Sequence, residues 1–520
     1  TVTDGREATE IEVVVPPELS ALIPVASMVH YLGAEVSVES GTSPRLELGE
    51  ETHSLGNVET LPRRAADVLR RTFYLDCVAR GAGDHGGTLS VSHTFDTLAL
   101  DAERLYEAPM AERVRTYLDS DFEAVREEFP EWHLTMHVEP TYEHAATVPY
   151  FINKVPFLFR PEGERISEQE WLELSLTGGG FGDPTQSQRG AETRSSYGRR
   201  EVSNIDLLNP EPCPGRTHGW LADGVPIDGF KTVPEAYRHR DEALDDPGEK
   251  LSVTAIVNET DVSRIGCGSD GGLGMQDEHE AAVEHYQTRA EELRIDIDVR
   301  ENVSTAELAR VFESHNDFVH FIGHHEASGL SCTDGFLSPD SLDTVRTRAF
   351  FLNACGSYPF GEELVRRGGV AGGVTFASVG DSDAAEVGTT FARLLVNGFC
   401  ISRGLAKAAR HAISPRDYAV IGDGTFQASQ SDDLVPLDGY VVPTESGDFK
   451  VLLRNNQPRK TGNVTVDMFN TNDSQRLLVG STEMKEISKE QLVEYLSATQ
   501  DPIVFRGELF WPEELKSRIE

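Results

Sequence analysis

Residues 251–430 predict an α/β fold, a mostly parallel sheet flanked by helices. Apolar, β-branched and aromatic runs at 251–258, 318–323 and 350–354 alternate with amphipathic helical stretches, the order that crossovers between parallel strands produce. About thirty residues separate the ends of the second and third runs, enough for the crossover that neighbouring parallel strands need. Ser304, followed three residues later by Glu307, marks a capped helix start between two of the strands.

The chain opens with a strand over 9–16 and a helix over 17–33 that begins Pro-Glu. Short strands follow near Val36 and Leu46, then a long helical pattern over Leu61–Arg80 with arginines on its outer face, and more helix over 101–128. These elements predict an N-terminal α/β domain over 1–140, either a degenerate copy of the fold at 251–430 or a recognition domain. Residues 141–250 read as a linker region. An apolar stretch at 146–160 gives way, from Thr177 to about Tyr237, to Gly-, Pro-, Ser- and Arg-rich chain without sustained periodicity, expected as a long exposed loop. Its glycines at 178–182 do not form a phosphate-cradling loop, because no Lys-Ser/Thr follows and no helix opens after them.

In the third region the expected order is a strand at 251–258, a helix at 278–293, a strand at 295–299 and a helix at 304–313. Then come a strand at 318–323, a hairpin and short helix over 329–342, a strand at 350–354 and a helix at 361–367. A strand at 370–379, a helix from 384 to about 413 and a last strand at 418–421 complete it. Strand-like runs at 439–443, 450–453 and 462–469, with a short helical piece, predict a small β-rich domain over 431–520.

Asp and Glu total 87 of the 520 residues against 47 Lys and Arg, a formal net charge of −40. The carboxylates are spread among recurring apolar segments, which excludes a disordered acidic chain and a localised acidic tail. What remains is a surface suited to concentrated salt. At molar salt the Debye length falls to about 3 Å and self-repulsion is screened. A halophilic, cytoplasmic protein is expected, and nucleic acid is not an expected partner, since that affinity comes largely from Lys and Arg on phosphates. Thr1 to Asp4 carry neither the basic nor the apolar region of a signal peptide. No apolar run reaches the roughly 18 residues that span a bilayer, so no membrane partner is expected. The cysteines Cys77, Cys213, Cys267, Cys332, Cys355 and Cys400 are scattered without a CxxC pair, which makes neither a disulfide framework nor a zinc site.

In an open parallel sheet, ligands bind beyond the carboxyl ends of the strands. His324 and Cys355 both follow such ends, after Phe318-Val319-His320-Phe321-Ile322-Gly323 and after Phe350-Phe351-Leu352-Asn353-Ala354. An imidazole beside a thiol can take its proton and later return it to a leaving amine. Backbone N–H groups at Cys355 and near His324 are candidate oxyanion donors. Spacing alone leaves a buried core cysteine as the competing reading. His320 lies four residues before His324, about 13 Å away along a strand, and reads as a core histidine. Read as a helix, His320 and His324 would be a metal pair with Glu326 as a further ligand, but the β-branched and aromatic run ending at Gly323 argues for strand. His325 is expected to point away from the His324 face.

The runs His320-Phe321-Ile322-Gly323-His324 and Phe351-Leu352-Asn353-Ala354-Cys355-Gly356-Ser357 resemble the CHAT family of caspase-like peptidases. The collinear pattern continues through Gly368-Gly369-Val370-Ala371-Gly372-Gly373-Val374, Asp381-Ser382-Asp383-Ala384-Ala385, the helix ending Gly404-Leu405-Ala406-Lys407-Ala408-Ala409-Arg410, and Tyr418-Ala419-Val420-Ile421-Gly422-Asp423. Separase carries a similar arrangement, with clostripain and gingipain more distant. The resemblance covers 251–430 and implies the caspase–hemoglobinase fold, His324 as general base, Cys355 as nucleophile and no cofactor or metal. Two departures stand out. His325 occupies the place where the family usually has Gly; its N–H can serve an oxyanion hole with that of Cys355, while its side chain crowds the approach. Ala377-Ser378-Val379-Gly380 stands where the family carries an aromatic residue.

In separase-like relatives an acidic residue after the fifth strand receives Arg or Lys. The resemblance therefore implies substrate-binding roles for Asp381 and Asp383, Asp381 being preferred, since a carboxylate pairs well with guanidinium. The loop 189–200 gathers Arg189, Arg194, Arg199 and Arg200. It reads either as a solvated loop answering the acidic surface or as an internal cleavage site or lid. The function predicted is an intracellular cysteine endopeptidase acting on a protein or peptide substrate after Arg or Lys. The alternative is a catalytically weak regulatory or scaffold protein of the same fold that acts by binding a partner protein.

Overall fold

The computed structural model describes residues 10–81, 89–176, 205–245, 251–258, 295–376, 381–409, 415–429, 436–456, 464–466, 475–477 and 485–520. Its internal contacts divide the chain into two compact units. The first comprises 1–162, 212–218 and 450–486; the second comprises 163–211, 219–449 and 487–520.

In the first unit, strands run in the order Glu35–Val38, Ile11–Val15, Arg45–Leu48, Glu51–Ser54, the first pair parallel and the others antiparallel. The helix Leu19–Leu32 ends at Gly33, which adopts the left-handed conformation (φ 63°) and donates its N–H to the Val29 carbonyl. The helix Leu61–Arg80 buries Leu69, Phe73 and Tyr74 in a core shared with Trp132 and Phe157. Trp132 stacks on Phe157 at 4.6 Å and meets Phe73 edge-on at 5.2 Å. The helix expected over 101–128 is present in pieces, Ala102–Glu107, Met110–Asp119 and a 3-10 turn Phe122–Glu128. The break follows from Pro109, which forces the preceding Ala108 out of the helical region (ψ 145°).

The second unit is built on a mostly parallel sheet flanked by helices. Its strands are β1 (Leu251–Val257), β2 (Ile295–Glu301), β3 (Asn316–Ile322), β4 (Thr347–Asn353), β5 (Ala371–Thr375) and β6 (Tyr418–Gly422), in spatial order β2-β1-β3-β4-β5-β6. Pairs through β5 are parallel and β6 runs antiparallel to β5. Phe230–Lys231 adds to β6 in parallel, with Gly219 and Trp220 beside it. Alternation sorts the two faces. Val319, Phe321, Phe350, Leu352, Val374 and Ile421 share one core with Leu308, Phe312, Phe360 and Leu364. These last residues belong to the helices α1 (Thr305–Glu313) and α2 (Tyr358–Arg366). On the other face Phe318 and Phe351 meet Phe391 of α3 (Asp381–Val396), His320 lies against Phe318 and Phe351, and Gly373 meets Leu405 of α4 (Ile401–Ala408).

Several expectations change. The described part of the exposed loop expected over 177–237 contains strands Leu207–Pro210, His218–Leu221, Val225–Pro226 and Phe230–Lys231, followed by a helix Pro234–Asp245. Runs of two to four residues are too short to show a period. The helix expected from 384 to 413 is two helices, parted at Gly398 in a left-handed conformation (φ 84°). The helix expected at 361–367 begins at Tyr358, with Pro359 in its first turn, and β5 stops at Thr375. Toward the C-terminus, Leu437–Pro443 runs parallel to Ile503–Phe505, which turns back as Glu508–Phe510; the helices Lys489–Ala498 and Pro512–Ile519 accompany them. The expected helix at 278–293 falls outside the described residues, as do the loop 189–200 and the run 377–380. No described helix is long and apolar enough to cross a membrane.

Candidate active site

β3 and β4 are parallel neighbours, and Ile322 pairs with Asn353 at their carboxyl ends. The Gly323 N–H donates to the Asn353 carbonyl at 3.4 Å, so the ladder closes immediately before His324 on one strand and two residues before Cys355 on the other. Both residues leave the sheet at the same edge, one strand apart, and both are half-buried.

The turn carrying Cys355 is fixed from below. Gly356 takes a left-handed conformation (φ 64°) that lets the chain reverse into α2. Ser357, fully buried, donates its hydroxyl to the Leu352 carbonyl at 2.9 Å and accepts the Thr375 N–H at 3.2 Å. The Thr375 hydroxyl donates to the Ala354 carbonyl at 2.6 Å.

The His324 side is held by a hairpin of His325–Glu326, Gly329–Cys332 and Gly335–Leu337. The His324 carbonyl accepts the Ser331 N–H at 2.9 Å. Asn258, buried just beyond β1, ties this hairpin down: Nδ2 donates to the carbonyls of Ser331 (2.9 Å) and Val303 (3.3 Å), and Oδ1 accepts the Val303 N–H at 2.8 Å. At the far end Asp334 accepts the N–H and hydroxyl of Thr305, capping α1. These hydrogen bonds also draw the Asp334 carboxyl below the usual carboxylate range.

His325 departs from expectation. Its ring meets Phe360 edge-on at 6.3 Å and lies beside the main chain of Cys355. Burial pushes its pKa below the ordinary histidine value, and the Cys355 main chain acts in the opposite sense. Strand alternation sent this side chain away from the nucleophile, but alternation ends at Gly323 and His325 opens the hairpin instead. His320 is fully buried between Phe318 and Phe351, with ring centroids 6.3 and 5.2 Å away. It sits within strand β3, so the helical spacing of a metal pair does not arise. Among the described residues, no group of three His, Cys, Asp or Glu side chains could hold a metal ion.

The other described cysteines are Cys77, Cys213, Cys332 and Cys400. Cys77 and Cys332 are buried, and burial pushes each thiol up to about 11; Cys400 is buried too, while Cys213 is half-buried. Cys267 lies outside the described residues. Asp381 and Asp383 fall in the first turn of α3, and their side chains lie outside what the structure describes. Asn258 and Thr375 carried no signal in the sequence beyond being polar residues in or beside apolar runs, and Ser357 appeared only as part of the run around Cys355. Such residues, once buried, must find hydrogen-bond partners.

No protein-family model matches the chain, and no curated protein matches it. Among solved structures it is similar to the Saccharomyces cerevisiae separase–securin complex, at 10% identity and a TM-score of 0.29 over 41% of this chain. It spans 16% of that matched chain. It is also similar to the complex of the Porphyromonas gingivalis RgpB pro- and mature domains (11% identity, TM-score 0.36, 68% of this chain and 94% of that one). A further similarity is to the Arg-specific cysteine proteinase gingipain R (13% identity, TM-score 0.37, 69% and 93%). Likeness of this extent carries no argument about the reaction, which is read from the chain's own residues.

Proposed function

We propose that the protein is a caspase-like cysteine endopeptidase of the CHAT type, with His324 as general base and Cys355 as nucleophile. The observation that carries this reading is the pairing of Ile322 with Asn353. It delivers an imidazole and a half-buried thiol to the carboxyl edge of a parallel sheet on adjacent strands. In the cycle, His324 takes the Cys355 proton as Sγ bonds to the scissile carbonyl carbon. The carbonyl π pair moves onto oxygen, where the N–H groups of Cys355 and His325 receive it. Collapse breaks the C–N bond, and His324 passes its proton to the departing amine. Water, deprotonated by His324, then cleaves the thioester, and the proton returns to Sγ.

In this reading Asp381 and Asp383, at the head of α3, take up the guanidinium or ammonium of an Arg or Lys before the cleaved bond. The acidic composition fits an intracellular protein working in concentrated salt.

A thiol-directed peptide probe ending in Arg, applied in molar salt, tests the reading. The expected result is labelling that Cys355→Ala and His324→Ala abolish and that a chelator leaves unchanged. Asp381→Asn with Asp383→Asn should lower the preference for the Arg probe over a neutral one. A wild type that takes no label supports the second reading, a regulatory protein that works by binding a partner. The His325 ring beside the Cys355 main chain is the observation that favours it.

A further inference from the structure

The carbonyl of Ala354 and the N–H of Cys355 belong to one planar peptide group. Whatever holds that carbonyl also sets the direction of the N–H, which points the opposite way. The Thr375 hydroxyl holds it at 2.6 Å, and Thr375 is itself only 1% exposed, so no water competes for the bond. Thr375 is fixed in turn, its own N–H donated to Ser357 Oγ, whose hydroxyl reaches back to Leu352 on the same strand end. A closed set of buried bonds therefore ties the last residue of β5 to the first peptide of the Cys355 turn.

We infer that Thr375 is a positioning residue for the oxyanion hole, a role that rests on the peptidase reading above. When Cys355 Sγ adds to a carbonyl carbon, the π pair becomes negative charge on the substrate oxygen, and a Cys355 N–H aimed at it must not swing as that charge grows. Preorganised donors work because they need no reorientation at that moment. The hydroxyl on the Ala354 oxygen also polarises the peptide, which makes its N–H a stronger donor. Thr375 touches neither substrate nor nucleophile; it acts through the peptide between Ala354 and Cys355.

The experiment compares wild type, Thr375→Val and Thr375→Ser on an Arg-containing peptide in molar salt. It also measures affinity for a peptide aldehyde and for the matching unreactive peptide amide. The aldehyde takes the Cys355 sulfur on its carbon and leaves an oxygen where the oxyanion forms; the amide binds without that step. Thr375→Val should lower kcat about tenfold with KM unchanged and weaken the aldehyde by a similar factor, while amide binding stays as in wild type. Thr375→Ser, which keeps the hydroxyl, should restore most of both. If Thr375→Val does not fold, Thr375→Ala is read the same way. An active wild type whose Val variant keeps its kcat overturns the inference, as does a variant that loses aldehyde and amide binding equally, the mark of a merely structural residue. A wild type that neither cleaves nor takes the aldehyde overturns the peptidase reading and this inference with it.

Discussion

The ring of His325 lies beside the main chain of Cys355, so the residue after the candidate base borders the candidate nucleophile's own turn. It borders the strand ends that the catalytic reading needs kept open to substrate. The ring also meets Phe360 of α2 edge-on at 6.3 Å and is half-buried. His325→Gly should raise the rate of Cys355 labelling by roughly tenfold, since small displacements at a reacting centre change rates by such factors. A fall instead would mean that the ring holds the turn in its working shape. Labelling kinetics across a probe series distinguish the two, because crowding is relieved most for bulky probes.

Phe350 and Gly372 face each other across β4 and β5, and a Cβ on Gly372 would fall within the Phe350 ring. The glycine is there for the close approach of a ring to the backbone. Gly372→Ala should cost about 1–3 kcal/mol through overpacking, read as a lowered denaturation midpoint. Phe350→Leu in the same chain should recover part of that loss, since residues in contact couple.

The sheet was legible because its strands are apolar runs separated by crossovers, and the capping box at Ser304 and Glu307 appears as read. Tyr418–Gly422 was visible as a strand, but its antiparallel direction was not, since direction is set by how α3 and α4 return the chain. His324 and Cys355 stood out because each follows a strand end. The fastenings around them did not, for they join residues far apart in sequence: Thr375 to Ala354 and Asn258 to Ser331. Each is a polar residue whose partner only the fold supplies. The short strands between 205 and 231 were illegible for another reason: a strand of two residues, such as Phe230–Lys231, has no period to detect.

Lys407 of α4 and Asp438 of Leu437–Pro443 form a buried ion pair at 2.6 Å, with the ammonium 5.9 Å from the Phe399 ring centroid. The pair is costly to break from one side, because the remaining charge stays in the interior. Lys407→Met should destabilise by about 3–5 kcal/mol, while Lys407→Met with Asp438→Leu should recover much of it, as buried pairs often yield to apolar replacements of similar volume. Denaturant unfolding of the two variants measures this. Equal losses in both would mean that the pair is not what holds the helix to the strand.

Asp501, near that pair, gives the fold a pH dependence of unusual sign. Burial raises its pKa from 3.8 to about 6, and the neighbouring Asp438 pushes the same way; hydrogen bonds from Thr499 and Tyr495 oppose them. Thr499 donates its hydroxyl to the Asp501 carboxylate at 2.6 Å, while Lys407 is engaged by Asp438. The folded state thus holds the Asp501 proton more tightly than the unfolded chain does. Its contribution to stability is fully present below about pH 3.8, declines as pH rises through the window to about 6, and is absent above it. A shift of this size corresponds to at most about 3 kcal/mol. Asp501→Asn keeps an acceptor for Thr499 without the charge. It should stabilise the protein at pH 7 by about 1–3 kcal/mol and by progressively less toward pH 4. Urea unfolding at fixed molar salt, where the other carboxylates are screened, reads this as the difference between wild type and variant. A difference that stays constant from pH 4 to pH 7 would show that Asp501 titrates alike in the folded and unfolded chains.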